Sequence, residues 1–162
     1  MAEEVEQKVR SLLRPTYDES GWYSAVKTLN PREALPVLLT VLEDEHEEQT
    51  SRELAALILG MLGDKEAIPA LARTLHTSNR ILRGRSAEAL GKFELLEEDV
   101  LQQLIQGLQD EDYYFRECCA KALGQLKRPE ALPALQHMSD ADSYSSNREV
   151  AQKAIDGIQG SP

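Results

Sequence analysis

"DEDYYFRECCAKALGQLK", Asp110 to Lys127, is the stretch whose reading decides the fold. It holds both cysteines of the chain, Cys118 and Cys119, close to Tyr113, Tyr114 and Arg116. Taken alone, it is a thiol pair beside aromatics and a cation, which are the makings of an active site. Set beside the remainder of the chain, it is one copy of a recurring unit.

Its second half, "CAKALGQL" (119–126), has counterparts in "LAALILGML" (54–62), "SAEALGKF" (86–93) and "AQKAIDGI" (151–158). Aligned on Gly60, Gly91, Gly124 and Asp156, these are 31, 33 and 32 residues apart. A weaker copy, "SAVKTL", places Lys27 33 residues before Gly60. Each unit also has a matching front half: "REALPVLLTVL" (32–42), "KEAIPALARTL" (65–75), "EEDVLQQLIQGL" (97–108) and "PEALPALQHM" (129–138). Apolar residues such as Ile68, Leu71 and Leu75 recur there at helical spacing, and no strand alternation is found. Pro36, Pro69 and Pro133 share one register, which predicts that the first turn of each front helix begins close to the proline.

Two helices per unit at a period of about thirty-two residues predict an all-α, right-handed α-solenoid of about five helix pairs. The expected division of 1–162, a single domain, is a degenerate capping unit over 1–30 and repeats over 31–63, 64–94, 95–127 and 128–160. Ala56, Ala89 and Ala122 recur near the glycines, which predicts close approach of successive second helices. A glycine costs about 1 kcal/mol against alanine in an exposed helix interior, so its recurrence needs such a reason.

Eight residues before each aligned glycine or aspartate stands an arginine: Arg52, Arg83, Arg116 and Arg148. Asp44, Asp110 and Asp140 close the first helix in three units, with Thr77 in the other. A cation at a helix N-terminus opposes the helix dipole. The register therefore predicts a structural ladder of arginine–aspartate pairs within or between units.

"FRECCAKALGQL" (115–126), "LRGRSAEALGKF" (82–93) and "EALPAL" (130–135) resemble the second- and first-helix patterns of HEAT-like repeats of the phycobilisome (bilin) lyase type. The resemblance runs from about residue 31 to 160. It implies proteins that attach or detach bilin chromophores on phycobiliproteins, and equally the many repeat proteins that serve only as interaction scaffolds.

Composition narrows the choice. The chain is 41% hydrophobic and 28% charged, as expected of a folded protein. Its longest apolar run, Leu54 to Leu62, is too short to span a bilayer. The acidic N-terminus reads as neither a secretory signal nor a transit peptide, and the tail "IQGSP" (158–162) reads as frayed. Two adjacent cysteines give no disulfide framework, so a reducing cytoplasm is expected. A net charge of −10 repels phosphates and argues against nucleic acid as a partner, although Arg80, Arg83 and Arg85 form a local basic patch.

Cys119 aligns with Ala55, Ser86 and Ala151, a small buried slot, and Cys118 with the variable Leu54, Arg85 and Val150. Neither has a histidine to activate a thiolate, and adjacent cysteines are a poor metal site. A repeat enzyme such as deoxyhypusine hydroxylase holds metal through repeated His-Glu pairs. Here there is one, His46–Glu47, and the equivalent places read "TSNR", "EDYY" and "DSYS"; His76 and His137 precede Thr and Met. No catalytic or metal residue is therefore assigned.

The turns inside each unit are the expected contact surface. Leu75–Arg83 and Leu108–Arg116 are eight residues apart, whereas Leu42–Arg52 and Met138–Arg148 are ten, so the first and fourth of these turns are expected to carry two extra residues. Tyr113, Tyr114, Tyr144, Arg80, Arg85 and Cys118 are the expected partner-binding residues. Trp22, at the small slot of the first unit, is expected to cap the core. The function expected is a non-catalytic protein-binding scaffold without a cofactor. The alternative implied by the resemblance is a bilin lyase subunit that holds a non-covalently bound bilin and acts on a phycobiliprotein.

Overall fold

The computed structural model describes residues 2–14 and 19–160, so Ser161 and Pro162 of the expected frayed tail lie outside the described residues. Ten α-helices form five antiparallel pairs among those residues. They are α1 (Ala2–Leu12) with α2 (Glu19–Val26), α3 (Pro31–Glu43) with α4 (Gln49–Leu62), and α5 (Ile68–Thr74) with α6 (Arg80–Leu90). Then follow α7 (Glu98–Gly107) with α8 (Tyr113–Leu126), and α9 (Leu132–Ala141) with α10 (Ser145–Gln159). The pairs stack as a right-handed α-solenoid with no strand among the described residues.

Turn chemistry sets the boundaries. Gly63 ends α4 in the left-handed region at φ +68°, and Lys127 does the same for α8 at φ +51°. Asn30, Asn79 and Asp112 accept first-turn N–H groups and so start α3, α6 and α8. Pro69 and Pro133 open α5 and α9 after short 3-10 turns, Lys65–Ala67 and Pro129–Ala131. Pro36 departs from the expected pattern because it lies inside α3. Asn30 and Pro31 already supply a cap and a first residue there, so that helix starts five residues earlier.

Four leucine-rich layers make the core. Leu38, Leu71, Leu104 and Leu135 from the first helices meet Leu59, Leu90, Leu123 and Ile155 from the second, all of them buried. Each such side chain contributes about 1.5–3 kcal/mol of transfer free energy. Trp22 closes the N-terminal end. Its ring is buried, and its indole N–H donates to the carbonyl of Leu12, 2.8 Å away, tying α2 to the end of α1.

The second helices run as one tightly stacked row, α4–α6–α8–α10. A Cβ on Gly60 would lie 2.7 Å from Ala89 Cα, on Gly91 2.6 Å from Ala122 Cα, and on Gly124 3.0 Å from Ala154 Cα. The first helices are splayed instead. A groove of about 580 Å³ opens between α5 and α7, and one of about 720 Å³ beside α1 and α3. Close contact on one side and grooves on the other bend the array, with the second helices on its inner face.

At Gly60 two effects oppose. Alanine would gain about 1 kcal/mol of helix propensity, but its methyl would collide with backbone that cannot give way. Overpacking of that kind costs about 1–3 kcal/mol or more. Gly60→Ala is expected to lower the urea midpoint; a raised midpoint would show that the helices do not touch here.

Candidate functional site

The turns within the units line up along one edge of the solenoid, and the arginine register governs what they present. Arg83 donates to Asp110 of the next unit at 2.6 Å. Arg116 forms a two-pronged pair with Asp142 at 2.7 and 3.0 Å, and also donates to the carbonyls of Asp110 and Glu111. Arg52 and Arg148 bond carbonyls within their own units, those of Leu42 at 3.0 Å and Asp142 at 2.6 Å. These guanidiniums therefore satisfy the loose carbonyl ends of first helices as well as carboxylates.

Two expected rungs are corrected. Asp140 accepts from Gln136 on its own helix, and Asp142 takes the place foreseen for it. The reason is that α9 continues through Ser139, Asp140 and Ala141, so the extra residues of that unit lengthen the helix and not the turn. Asp44 accepts the N–H of His46 and pairs with no arginine among the described residues. In that unit too the extra residues lengthen the first helix: the turn 44–48 is no longer than 75–79 or 108–112, and α3 runs on to Glu43, past Leu42.

Burial alone would raise the carboxyls of Asp110 and Asp142, but hydrogen bonds reverse the direction. Arg83 and the N–H of Asp112 hold Asp110 below its ordinary 3.8, and Arg116, the N–H of Tyr144 and Asn147 do so for Asp142. Asn147 was not foreseen. It is fully buried and donates to the carbonyl of Tyr113 at 3.0 Å, linking α10 to the start of α8. The signal in the sequence was a polar residue at the register of Leu82 and Phe115.

Outward of this layer lies a stack that crosses three units. The Arg80 guanidinium sits 4.8 Å from the Tyr113 ring centre and is paired with Asp112 at 3.0 Å. Tyr113 stacks on Tyr144 with centroids 4.5 Å apart and planes 25° off parallel. Tyr113 is 38% and Tyr144 47% exposed. Ile81, next to Arg80, is also exposed.

Tyr114 adjoins that stack, with the Arg80 guanidinium 5.3 Å from its ring centre, whereas Cys118 does not reach the surface. Tyr114 is half-buried on the second-helix face, where its ring fits over Gly84: a Cβ there would lie 2.5 Å from the ring. Cys118, expected at the contact surface, is fully buried, with Sγ 3.0 Å from the same point and 3.9 Å from Glu88 Oε1. Burial pushes its thiol up to about 12, so it stays protonated and poorly nucleophilic. Burial, and then the neighbouring Cys118, push the Tyr114 hydroxyl to about 12 as well. Arg85 lies on this face in an ion pair with Glu88 at 3.1 Å. Cys119 is buried against Gly107, the place where Ser86 and Thr74 share a 2.6 Å hydrogen bond one unit earlier.

His46 is exposed, Glu47 pairs with Arg10 at 2.8 Å, and His76 bonds Gln103. Among the described residues no group of three or more His, Cys, Asp or Glu is placed to hold a metal ion, and no helix is long and apolar enough to cross a membrane.

HEAT repeats are recognised over residues 21–91 and 74–156. No curated protein matches the chain. Among solved structures, human deoxyhypusine hydroxylase in complex with glycerol is 32% identical, with a TM-score of 0.66 over 78% of this chain and 43% of that one. The CpcE–CpcF complex of phycocyanin lyase from Nostoc sp. PCC7120 is 22% identical, with a TM-score of 0.71 over 100% of this chain and 66% of that one. A designed armadillo-repeat protein in complex with the peptide (KR)4 is 15% identical, with a TM-score of 0.62, over 95% of this chain and 81% of that one. The chain thus spans less than half of the hydroxylase and about two thirds of the lyase chain. The likenesses below 25% identity establish the fold alone.

Asp142→Ala is expected to cost about 2–3 kcal/mol, because it strands a largely buried guanidinium. Asp140→Ala should change stability by less than about 0.5 kcal/mol. Both carboxylates of the ladder have depressed values, so their stabilisation is complete above 3.8 and is lost as pH falls through the lower folded values. Urea midpoints measured from pH 6 down to about pH 2 should show that loss in the parent chain and a smaller one in Asp142→Ala.

Proposed function

The chain belongs to the HEAT-repeat family, and from that premise we propose that it is a non-catalytic scaffold that binds another protein. The binding surface is the turn edge together with the adjoining second-helix face. The observation that carries this is the exposed stack of Arg80, Tyr113 and Tyr144. Folding a chain does not require two large rings to be stacked at the surface. Tyrosine and arginine are the residue types that dominate binding energy at protein interfaces, where their flat faces lose little freedom on contact. The stack is also held in place beforehand, since Asn147 fixes the backbone of Tyr113 and Asp112 fixes Arg80. Peptide-bound repeat proteins of the same fold support the reading. Two free, buried thiols suit a reducing compartment, and we take the cytoplasm as the setting.

A bilin-handling role, in which the chain serves a phycobiliprotein as a lyase subunit, is the competing reading and draws on the lyase likeness. A bilin carries two propionates, which need free cations. Arg80 is paired with Asp112, Arg85 with Glu88 and Lys121 with Glu117, so the cations near the tyrosines are already neutralised. The stack therefore favours a protein partner over a dianionic pigment.

Tyr113→Ala/Tyr144→Ala should abolish capture of a partner from the source cytosol while far-ultraviolet circular dichroism stays unchanged. Retention of the partner by a folded double variant would remove the turn edge as the interface. A shift in the visible spectrum of phycocyanobilin on mixing with the purified protein would favour the bilin reading instead.

A further inference from the structure

The turn edge repeats one arrangement three times. A guanidinium lies against an aromatic ring with an aspartate beside it: Arg80 with Tyr113 and Asp112, Arg83 with Phe115 and Asp110, and Arg116 with Tyr144 and Asp142. In the outermost row this is supplied once only. At the register of Arg80, the unit before has Gln49 and the last unit has Ser145. The outer row therefore ends on Tyr144, which is nearly half exposed and has only the inner-row Arg116 guanidinium near its ring, 6.0 Å from the centre.

Charge along the same edge is unbalanced. Glu45, Glu48, Glu111 and Asp140 are exposed, and none is within ion-pair distance of a cation among the described residues. Two polar clefts open between neighbouring turns. One, of about 500 Å³, is lined by Glu43, Glu45, Arg52, Arg73 and Thr77, and the other, of about 450 Å³, by Asp110, Arg116, Asp142 and Ser143. Both clefts therefore carry both signs, and the surplus negative charge is that of the four unpaired acids. The unpaired Glu45, Glu48, Glu111 and Asp140 would disfavour an acidic segment or a nucleic acid on this edge, and a purely apolar segment would desolvate those carboxylates without a partner.

We propose that this edge takes an arginine-containing basic segment of a partner protein, with a guanidinium stacked on the Tyr113–Tyr144 platform and flanking cations matched to Glu45, Glu48, Glu111 and Asp140. The inference rests on the scaffold reading above and names the partner's chemistry. Arginine is favoured over lysine because its planar group stacks on a ring while its N–H groups still reach a carboxylate.

The test is fluorescence anisotropy of a labelled peptide of four Arg-Gly repeats, titrated with the full chain, beside Lys-Gly and Glu-Gly versions. The arginine peptide should bind saturably and several-fold more tightly than the lysine one, and the glutamate peptide should not bind. Tyr113→Ala/Tyr144→Ala should weaken it about tenfold. Glu45→Gln/Glu111→Gln should weaken it too and flatten its salt dependence. Absence of saturation up to about 1 mM, or equal binding by the tyrosine variant, would overturn the proposal. If the peptide fails but that variant still loses a protein partner, the partner's chemistry is wrong and the interface stands. If the variant also keeps the partner, both readings fall.

Discussion

Backbone against backbone along the second helices is the contact on which the remaining structure depends. Gly60, Gly91 and Gly124 each leave the volume of a methyl group vacant so that an alanine of the next unit can come close. Dispersion is short-ranged, and a gap of half an ångström or more would forfeit much of it along the whole row. The same approach forces the first helices apart and so creates the outer grooves. It also brings successive turns within reach of one another, without which Tyr113 could not stack on Tyr144. At the matching place in the last pair, Asp156 accepts from Gln152 and presents a carboxylate where the other units present glycine.

The arginines divide into two kinds three residues apart. Arg83 and Arg116 are largely covered, and their carboxylate partners come from the following unit, so each pair ties two repeats together. Such pairs specify register more than they stabilise, since desolvation offsets much of the attraction. Arg80 points outward, keeps one carboxylate neighbour and lends its face to Tyr113. One residue type thus gives alignment between units at the inner row and a recognition surface at the outer row.

Much of the fold was legible because repetition averages out local ambiguity. The period near thirty-two, the arginine eight residues before each glycine, and Trp22 as a cap all follow from aligning the units with one another. What repetition cannot give is the departures from it. Asp142 was missed because α9 runs three residues past Met138, whereas α5 and α7 stop one residue short of Leu75 and Leu108, and a helix extension and a loop insertion look alike in sequence. Pro36 misled because a good N-cap upstream overrode the register that holds for Pro69 and Pro133. Cys118 and Tyr114 stood at variable positions, and only the missing side chain of Gly84 shows that the ring folds over the helix and closes over the thiol. Tyr113 and Tyr144 were both visible as site residues in the sequence, whereas their stacking on one another was not.

The account is tested most directly by native-state hydrogen exchange on Gly124→Ala, read helix by helix. A Cβ there meets Ala154 at 2.9 Å, so the strain falls between α8 and α10. The account predicts that amide protection drops in α8, α9 and α10 together, while α3 and α4 keep theirs. Unchanged protection in α10, with any loss confined to the turn around Gly124, would contradict the claim that close second-helix contact holds the array together.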